Sequence, residues 1–246
     1  MTLIRQVLRG ADGVLGRRAL ERLRQQDAAL VLLYHRVAPE HDPTYPPLPP
    51  AVFERHCAFV RDAFEVIRLG ELADRLRHGR SLKGCCVMTF DDGYRSIREI
   101  ALPWLVRFGY PAVMFVPTDF VGGSSSFDGD EPEEAICDWA ELRDLQRWGV
   151  SIQSHAASHR PFSKLDPVEQ EREVVGSKAV LEAELGAAVA VLAYPYGDPG
   201  ADPEDVADDG RQRPLLVVGG DDDGQPGEAG SGRRGTVVGR RHEAVV

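Results

Sequence analysis

The chain has 246 residues, 29 of them Lys or Arg and 39 Asp or Glu, for a formal net charge of −10. This length suits one sizeable domain, such as an α/β barrel, and the acidic balance leaves no electrostatic footprint for nucleic acid or an anionic membrane surface. No apolar run is long enough to cross a bilayer.

Residues 1–26 mix Arg5, Arg9, Arg17, Arg18, Arg22 and Arg24 with Leu3, Ile4, Val7, Leu8, Val14, Leu15, Leu20 and Leu23. The pattern predicts an amphipathic helix packed on the domain, with attachment to a membrane surface as the rarer alternative. It contains no uninterrupted apolar core of signal-peptide length, so a cytoplasmic location, peripheral to the membrane at most, is expected.

Residues 28–34, Ala-Ala-Leu-Val-Leu-Leu-Tyr, predict a strand buried on both faces. A Pro-rich loop over 43–50 leads to a helix over 51–64, a short strand over 64–67 and a helix over 69–78. The run Cys85-Cys86-Val87-Met88 predicts a buried strand that closes on Thr89-Phe90-Asp91-Asp92-Gly93. A helix over 97–108 and a strand over 111–116 follow, then a Gly/Ser/Asp-rich loop over 122–130, long enough for a lid or an insertion.

Residues 139–148 predict a helix, with Asp138 before it, and 150–154 a strand that delivers His155. Asp166 as N-cap, Pro167 in the first turn and Glu169 three residues after the cap predict a capping box. The helix begun there runs to about residue 185 and stops at Gly186. A last strand over 189–194 ends at Pro195-Tyr196-Gly197.

Alternating strands and helices argue for a parallel sheet, and in barrels of this kind function gathers at the C-terminal strand ends. His35, Asp91, Asp92, His155, His159 and Tyr196 are all expected on that face. The domain is bounded at 27–201. From residue 206 onward the chain lacks Phe, Tyr, Trp, Ile, Met and Lys, so 202–246 is expected to be a low-complexity, poorly ordered tail. Within it only the segments around Leu215 and Val237 suit strands. The four cysteines show no CxxC spacing and are expected to be buried free thiols, with Cys85 and Cys86 on opposite faces of their strand.

Two adjacent carboxylates at a strand end raise each other's ionisation cost unless a cation or a proton intervenes. Asp91-Asp92 with His155-Ala156-Ala157-Ser158-His159 offers two nitrogen ligands, one carboxylate ligand and one spare carboxylate, a kit for metal-assisted hydrolysis. The four-residue spacing brings both imidazoles to one side in a helical turn or in a shaped loop.

These segments resemble the polysaccharide deacetylases, carbohydrate esterase family 4, whose first motif is Thr-Phe-Asp-Asp-Gly. The second motif, His-Ser/Thr-x-x-His, is matched apart from Ala156. The third, Arg-x-Pro-Tyr-Gly, is matched by Ala193-Tyr194-Pro195-Tyr196-Gly197 apart from Ala193. The resemblance covers roughly residues 28–200 and implies a distorted, incomplete (β/α) barrel. It further implies that Asp92, His155 and His159 hold a divalent metal, zinc first, with Asp91 as general base. The backbone N–H of Tyr196 would stabilise the oxyanion and its ring would carry a sugar. The implied partner is an N-acetylated polysaccharide or oligosaccharide.

The arginine that orients the base in the family is absent at Ala193, and the late tryptophan and histidine motifs find no match after Gly197. His242 lies in the right region without the context. His35 is the alternative proton donor, against the plainer role of a histidine bonded into its loop. A catalytically impaired, sugar-binding or scaffold relative is therefore the second reading. A ferrous oxygenase also uses two histidines and a carboxylate, but usually on another sheet architecture.

Overall fold

The computed structural model describes residues 24–39, 46–129, 132–200 and the strand residues 215–217, 236–238 and 244–245. The helix expected over 1–26, except its last three residues, lies outside the described residues. So does His242, and so does the tail from 202 apart from those strands.

The strands are β1 (Leu30–Tyr34), β2 (Glu65–Val66), β3 (Cys85–Phe90), β4 (Ala112–Val116), β5 (Val150–Ser154), β6 (Val191–Ala193), β7 (Leu215–Val217), β8 (Thr236–Val238) and β9 (Ala244–Val245). They form one sheet in the order β1-β3-β4-β5-β6-β7-β8-β9, with β2 paired to β3 off this path. Pairings through β7 are parallel and the last two are antiparallel. Among the described strands the path does not close on itself, and the sheet is a curled, incomplete barrel.

Its distortion starts at β3. Cys86 pairs with both Leu30 and Val66, so β1 and β2 flank it on opposite edges. On the edge that β2 occupies, β4 joins only at Thr89 and Phe90.

Side chains alternate between two apolar layers, as strand geometry requires. Cys86, Met88 and Phe90 pack outward with Phe53, Val60, Leu105, Leu142 and Leu145 of the helices. Cys85, Val87, Val113, Phe115, Val191 and Ala193 fill the concave side, closed from below by Ile67, Leu69 and Leu72. The cysteines are all buried free thiols, and Cys85 and Cys86 fall in different layers, as expected.

The strand expected to be buried on both faces is open at one residue of its second face, and among the described strands it is an edge strand. In β1, Leu30, Leu32 and Tyr34 are buried while Leu33 is 37% exposed. A continuous apolar run reports hydrophobicity but not position in the sheet, and β1 stands at one end of the strand order.

The helices are α1 (Pro50–Ala63), α2 (Leu69–Arg77), α3 (Leu102–Phe108), α4 (Trp139–Arg147), α5 (Pro167–Glu171) and α6 (Ser177–Leu185). Pro50 opens α1, where a missing N–H costs nothing, and Phe53, Cys57 and Val60 bury one face. Asp166 and Glu169 make the expected capping box, and Asp138 with Glu141 makes another at the start of α4. Two helices expected to be regular contain a π-helical turn, Ile97–Ala101 before α3 and Arg172–Gly176 between α5 and α6. Gly186 ends α6 in the left-handed conformation. Among the described residues no helix is long and apolar enough to cross a membrane.

His56 on α1 makes the fold acid-sensitive. Burial, with Arg55 nearby, pushes its imidazole down to about 4 from 6.5. The unfolded chain therefore binds the proton first, so this contribution to stability is complete above pH 6.5 and is lost as pH falls towards 4. Thermal unfolding of wild type and His56→Gln between pH 7 and 4 checks this, the wild type being expected to lose melting temperature more steeply. Parallel profiles would contradict it.

Candidate active site

Asp91 and Asp92 leave the end of β3, whose six residues are all buried. The turn is anchored before and after the pair. Thr89 Oγ1 donates to the Leu32 carbonyl at 3.2 Å, the Asp91 N–H to the Tyr34 carbonyl at 2.9 Å, and the Cys137 N–H to the Gly93 carbonyl at 2.9 Å.

Asp92 and Gly93 both take left-handed backbone, φ 69° and 75°. A Cβ at Gly93 would lie 3.3 Å from Val116 Cγ1 and 3.4 Å from Ile136 Cγ2, so the fifth residue of the motif is held to glycine by conformation and space together. Gly93→Ala is expected to cost about 1–2 kcal/mol from the left-handed conformation alone, read by urea unfolding. An unchanged midpoint would show that the turn relaxes.

His155 follows β5, its N–H bonded to the Val116 carbonyl at 3.0 Å. The loop to His159 is not helical: Ala156 and His159 are left-handed, φ 63° and 56°. The two imidazoles meet through this shaped loop, their ring centres 5.0 Å apart.

Three ligand atoms, one each from Asp92, His155 and His159, lie within 4.8 Å of one another, and all three residues are buried. Asp92 Oδ1 is 3.4 Å from His155 Nε2 and 3.1 Å from His159 Nε2, yet it is buried without a hydrogen-bond partner. His155 Nδ1 stands 2.9 Å from the Ala193 carbonyl, which can only accept, so that nitrogen carries the proton. In the neutral ring Nε2 then presents a lone pair to a carboxylate oxygen, an arrangement that needs a proton or a cation between them. The donor set, two imidazoles and one carboxylate, fits a divalent ion of the zinc type.

Electrostatics separates the two aspartates. Burial raises Asp91, and Asp92 beside it adds to that, against His155 and His35. Burial also opposes ionisation of Asp92, but His155 and His159 outweigh it and hold this carboxyl well below its usual range. Burial works against protonation of His155, but Asp92 and Asp91 overcome it and push the imidazole up to about 8.

The remaining expected residues reach the same face. His35 Nε2 lies 4.0 Å from Asp92 Oδ2, and its side chain is 34% exposed. Tyr196 is left-handed, φ 57°, in the turn Pro195–Gly197; its ring lies 4.9 Å from His159 and the residue is 38% exposed.

Sequence reasoning missed two contributors. The loop described over 122–129 folds back so that Phe127 packs 4.1 Å from the His159 ring. Asp128, raised by burial and by nearby Asp92, accepts a long hydrogen bond from Tyr196 Oη at 3.4 Å. The other is Glu173, buried within the second π-turn and bonded to the His155–His159 loop. Only its place inside the helix running from Asp166 to about residue 185 is visible in the sequence.

The curled, largely parallel half-barrel, with an Asp-His-His group at its C-terminal strand ends, has the fold of solved deacetylase structures. IcaB from Ammonifex degensii superposes with a TM-score of 0.66 at 23% identity, over 78% of this chain and 84% of that one. The deacetylase PplD of Streptococcus pyogenes, solved in complex with acetate, gives 0.63 at 19% identity, over 72% and 78%. The sequence profile described as polysaccharide deacetylase matches residues 78–212, more than half of the chain, which therefore belongs to the polysaccharide deacetylase family. YxkH of Bacillus subtilis (strain 168) is 25% identical over 169 residues, 68% of this chain and 56% of that protein. The chain thus spans a little over half the length of this curated relative.

Proposed function

We propose that this chain is a divalent-metal-dependent hydrolase that removes N-acetyl (or O-acetyl) groups from a polysaccharide or its sugar precursor. The observation that carries the reading is the convergence of two buried imidazole nitrogens on one buried oxygen of Asp92, with Asp91 adjoining. A cation held by Asp92, His155 and His159, zinc first, would polarise the acetyl carbonyl and ease deprotonation of water.

The rest falls to the chain's own groups. Asp91, raised by burial and by its neighbour, is suited to take the proton from the attacking water. The Tyr196 backbone N–H, fixed in its left-handed turn, is the donor for the developing oxyanion. The Tyr196 ring, part exposed beside His159, is the platform for a pyranose. His35, at the rim and open to solvent, is the group placed to protonate the departing amine, the role left vacant by the unmatched late motifs. All four cysteines are free thiols in the core, which suits a reducing, cytoplasmic setting.

Two observations favour the second reading, a catalytically impaired sugar-binding relative. Asp91 Oδ1 is buried without a hydrogen-bond partner, and Ala193 cannot supply the orienting arginine. Bound metal and acetate release from N-acetylglucosamine oligomers, measured together on the purified protein, separate the readings. Metal with release supports the hydrolase, and metal without release supports the binder. No metal at all would overturn both. Within the hydrolase, His35→Ala is expected to lower kcat by roughly 10²–10⁴-fold at unchanged zinc affinity; full activity would remove His35 from the reaction.

A further inference from the structure

The metal-binding loop from His155 to His159 is held from behind by a buried carboxylate. Glu173, 1% exposed, sits in the π-turn Arg172–Gly176. Its Oε2 accepts from the Ala157 N–H at 2.6 Å and the Ser158 N–H at 2.8 Å, while Oε1 accepts from Ser158 Oγ at 2.7 Å. Arg172, itself bonded to Asp119 through both carboxylate oxygens, reaches Oε1 at 3.2 Å.

A lone carboxylate at that depth would be strongly destabilising, and these donors are what make its burial tolerable. Glu173, Ser177 and Leu181 form one buried stripe at four-residue spacing, and its first two members are polar. Ser177 Oγ donates to the Glu173 carbonyl, so the 2.7 Å contact between Ser177 and Ser154 hydroxyls runs from Ser154 to Ser177. Ser154 Oγ in turn accepts the Ala156 N–H at 3.1 Å. Every backbone N–H from Ala156 to Ser158 therefore ends on a group that belongs to this stripe or is fixed by it.

On the front of the loop, the Thr118 and Asp119 N–H groups donate to the Ala156 and Ala157 carbonyls at 3.3 and 3.0 Å. The result is a loop fixed on both sides while two of its residues, Ala156 and His159, stay in left-handed backbone.

We infer that Glu173 is the positioning residue of this metal centre: its carboxylate fixes the 156–158 backbone so that His155 and His159 present their Nε2 atoms together. It touches neither cation nor substrate. The inference rests on the reading of Asp92, His155 and His159 as metal ligands, but the loop's order can be measured without any metal.

Glu173→Met keeps the side chain's length and removes both acceptors. Glu173→Gln keeps one acceptor for the two N–H groups and turns its amide towards Ser158 Oγ, which can accept, while giving up the outer contact with Arg172. Amide hydrogen exchange over residues 155–159 of the metal-free protein is the first readout, and zinc affinity by titration is the second. For Glu173→Met, exchange at least about tenfold faster and confined to this segment is expected, with zinc affinity about 10–100-fold weaker. Glu173→Gln is expected to restore most of both.

Wild-type exchange in Glu173→Met, faster exchange throughout the domain, or a glutamine variant as impaired as the methionine one would each overturn the inference. Should wild type bind no zinc while Glu173→Met still loosens only this segment, the metal reading falls and the positioning role stands. If Glu173→Met fails to fold, half-buried Ser158→Ala removes one of the three bonds. A few-fold faster exchange at residues 157–159 is then expected, and no change would overturn the proposal.

Discussion

Asp91→Asn should bring acetate release down by about 10²–10⁴-fold, the usual worth of a general base, with little change in KM or in bound zinc. The substitution keeps shape and removes only the ability to take a proton. The proposed metal-binding atoms belong to Asp92, His155 and His159, which lie within reach of one another, so loading should survive it. Stability provides the internal control. Asp91 is fully buried, raised by burial and by Asp92, and its Oδ1 has no hydrogen-bond partner. Replacing this carboxyl with a neutral amide relieves burial of a charge and its repulsion with Asp92, but also removes its attraction for His155 and His35, so the variant should melt close to wild type. Loss of turnover in a protein that melts close to wild type would locate the defect in chemistry. Retained turnover would take Asp91 out of the role of base.

Removing the cation should be as severe. Chelation is expected to abolish release, and zinc or cobalt should restore it in wild type but not in Asp92→Asn. Thermal unfolding gives a second readout that needs no substrate. A ligand that binds only the native state at 100 times its Kd stabilises by about 2.7 kcal/mol, a shift of about 5–11 °C for a domain of this size. Wild type should show that rise on adding zinc. Asp92→Asn loses the carboxylate on which both imidazoles converge at 3.1 and 3.4 Å, and should show almost none. Activity that survives exhaustive chelation would sink the metal reading, whatever the melting curves show.

Much of the site is legible from residue order because its parts sit at strand ends, and an apolar run ending in polar residues marks such an end locally. Asp91, Asp92, His155 and Tyr196 are of this kind. His159 and the spacing to His155 are legible too, but the shape of the loop between them is not. Among the described residues, four non-glycine residues have positive φ, Asp92, Ala156, His159 and Tyr196, and they carry no local sign of it. Only tertiary bonds such as those from Glu173 and Thr118 select that conformation. Glu173 looks like any polar residue in a helix until the π-turn and the neighbouring loop are seen together. The misjudged exposure of Leu33 has a related cause, because whether a strand's second face is covered depends on what packs over it, which the strand's own hydrophobicity does not encode.

Those four left-handed residues also bear on how the site meets an ion. Each holds a backbone conformation that side chains other than glycine resist, at a cost on the order of 1–2 kcal/mol, and that cost is met when the chain folds. Filling the site should therefore leave the backbone where it is. If it takes up the cation proposed above, such a pocket would act as a stiff chelator, selecting ions by radius and preferred geometry, whereas a pliant loop would wrap around whichever cation arrives first.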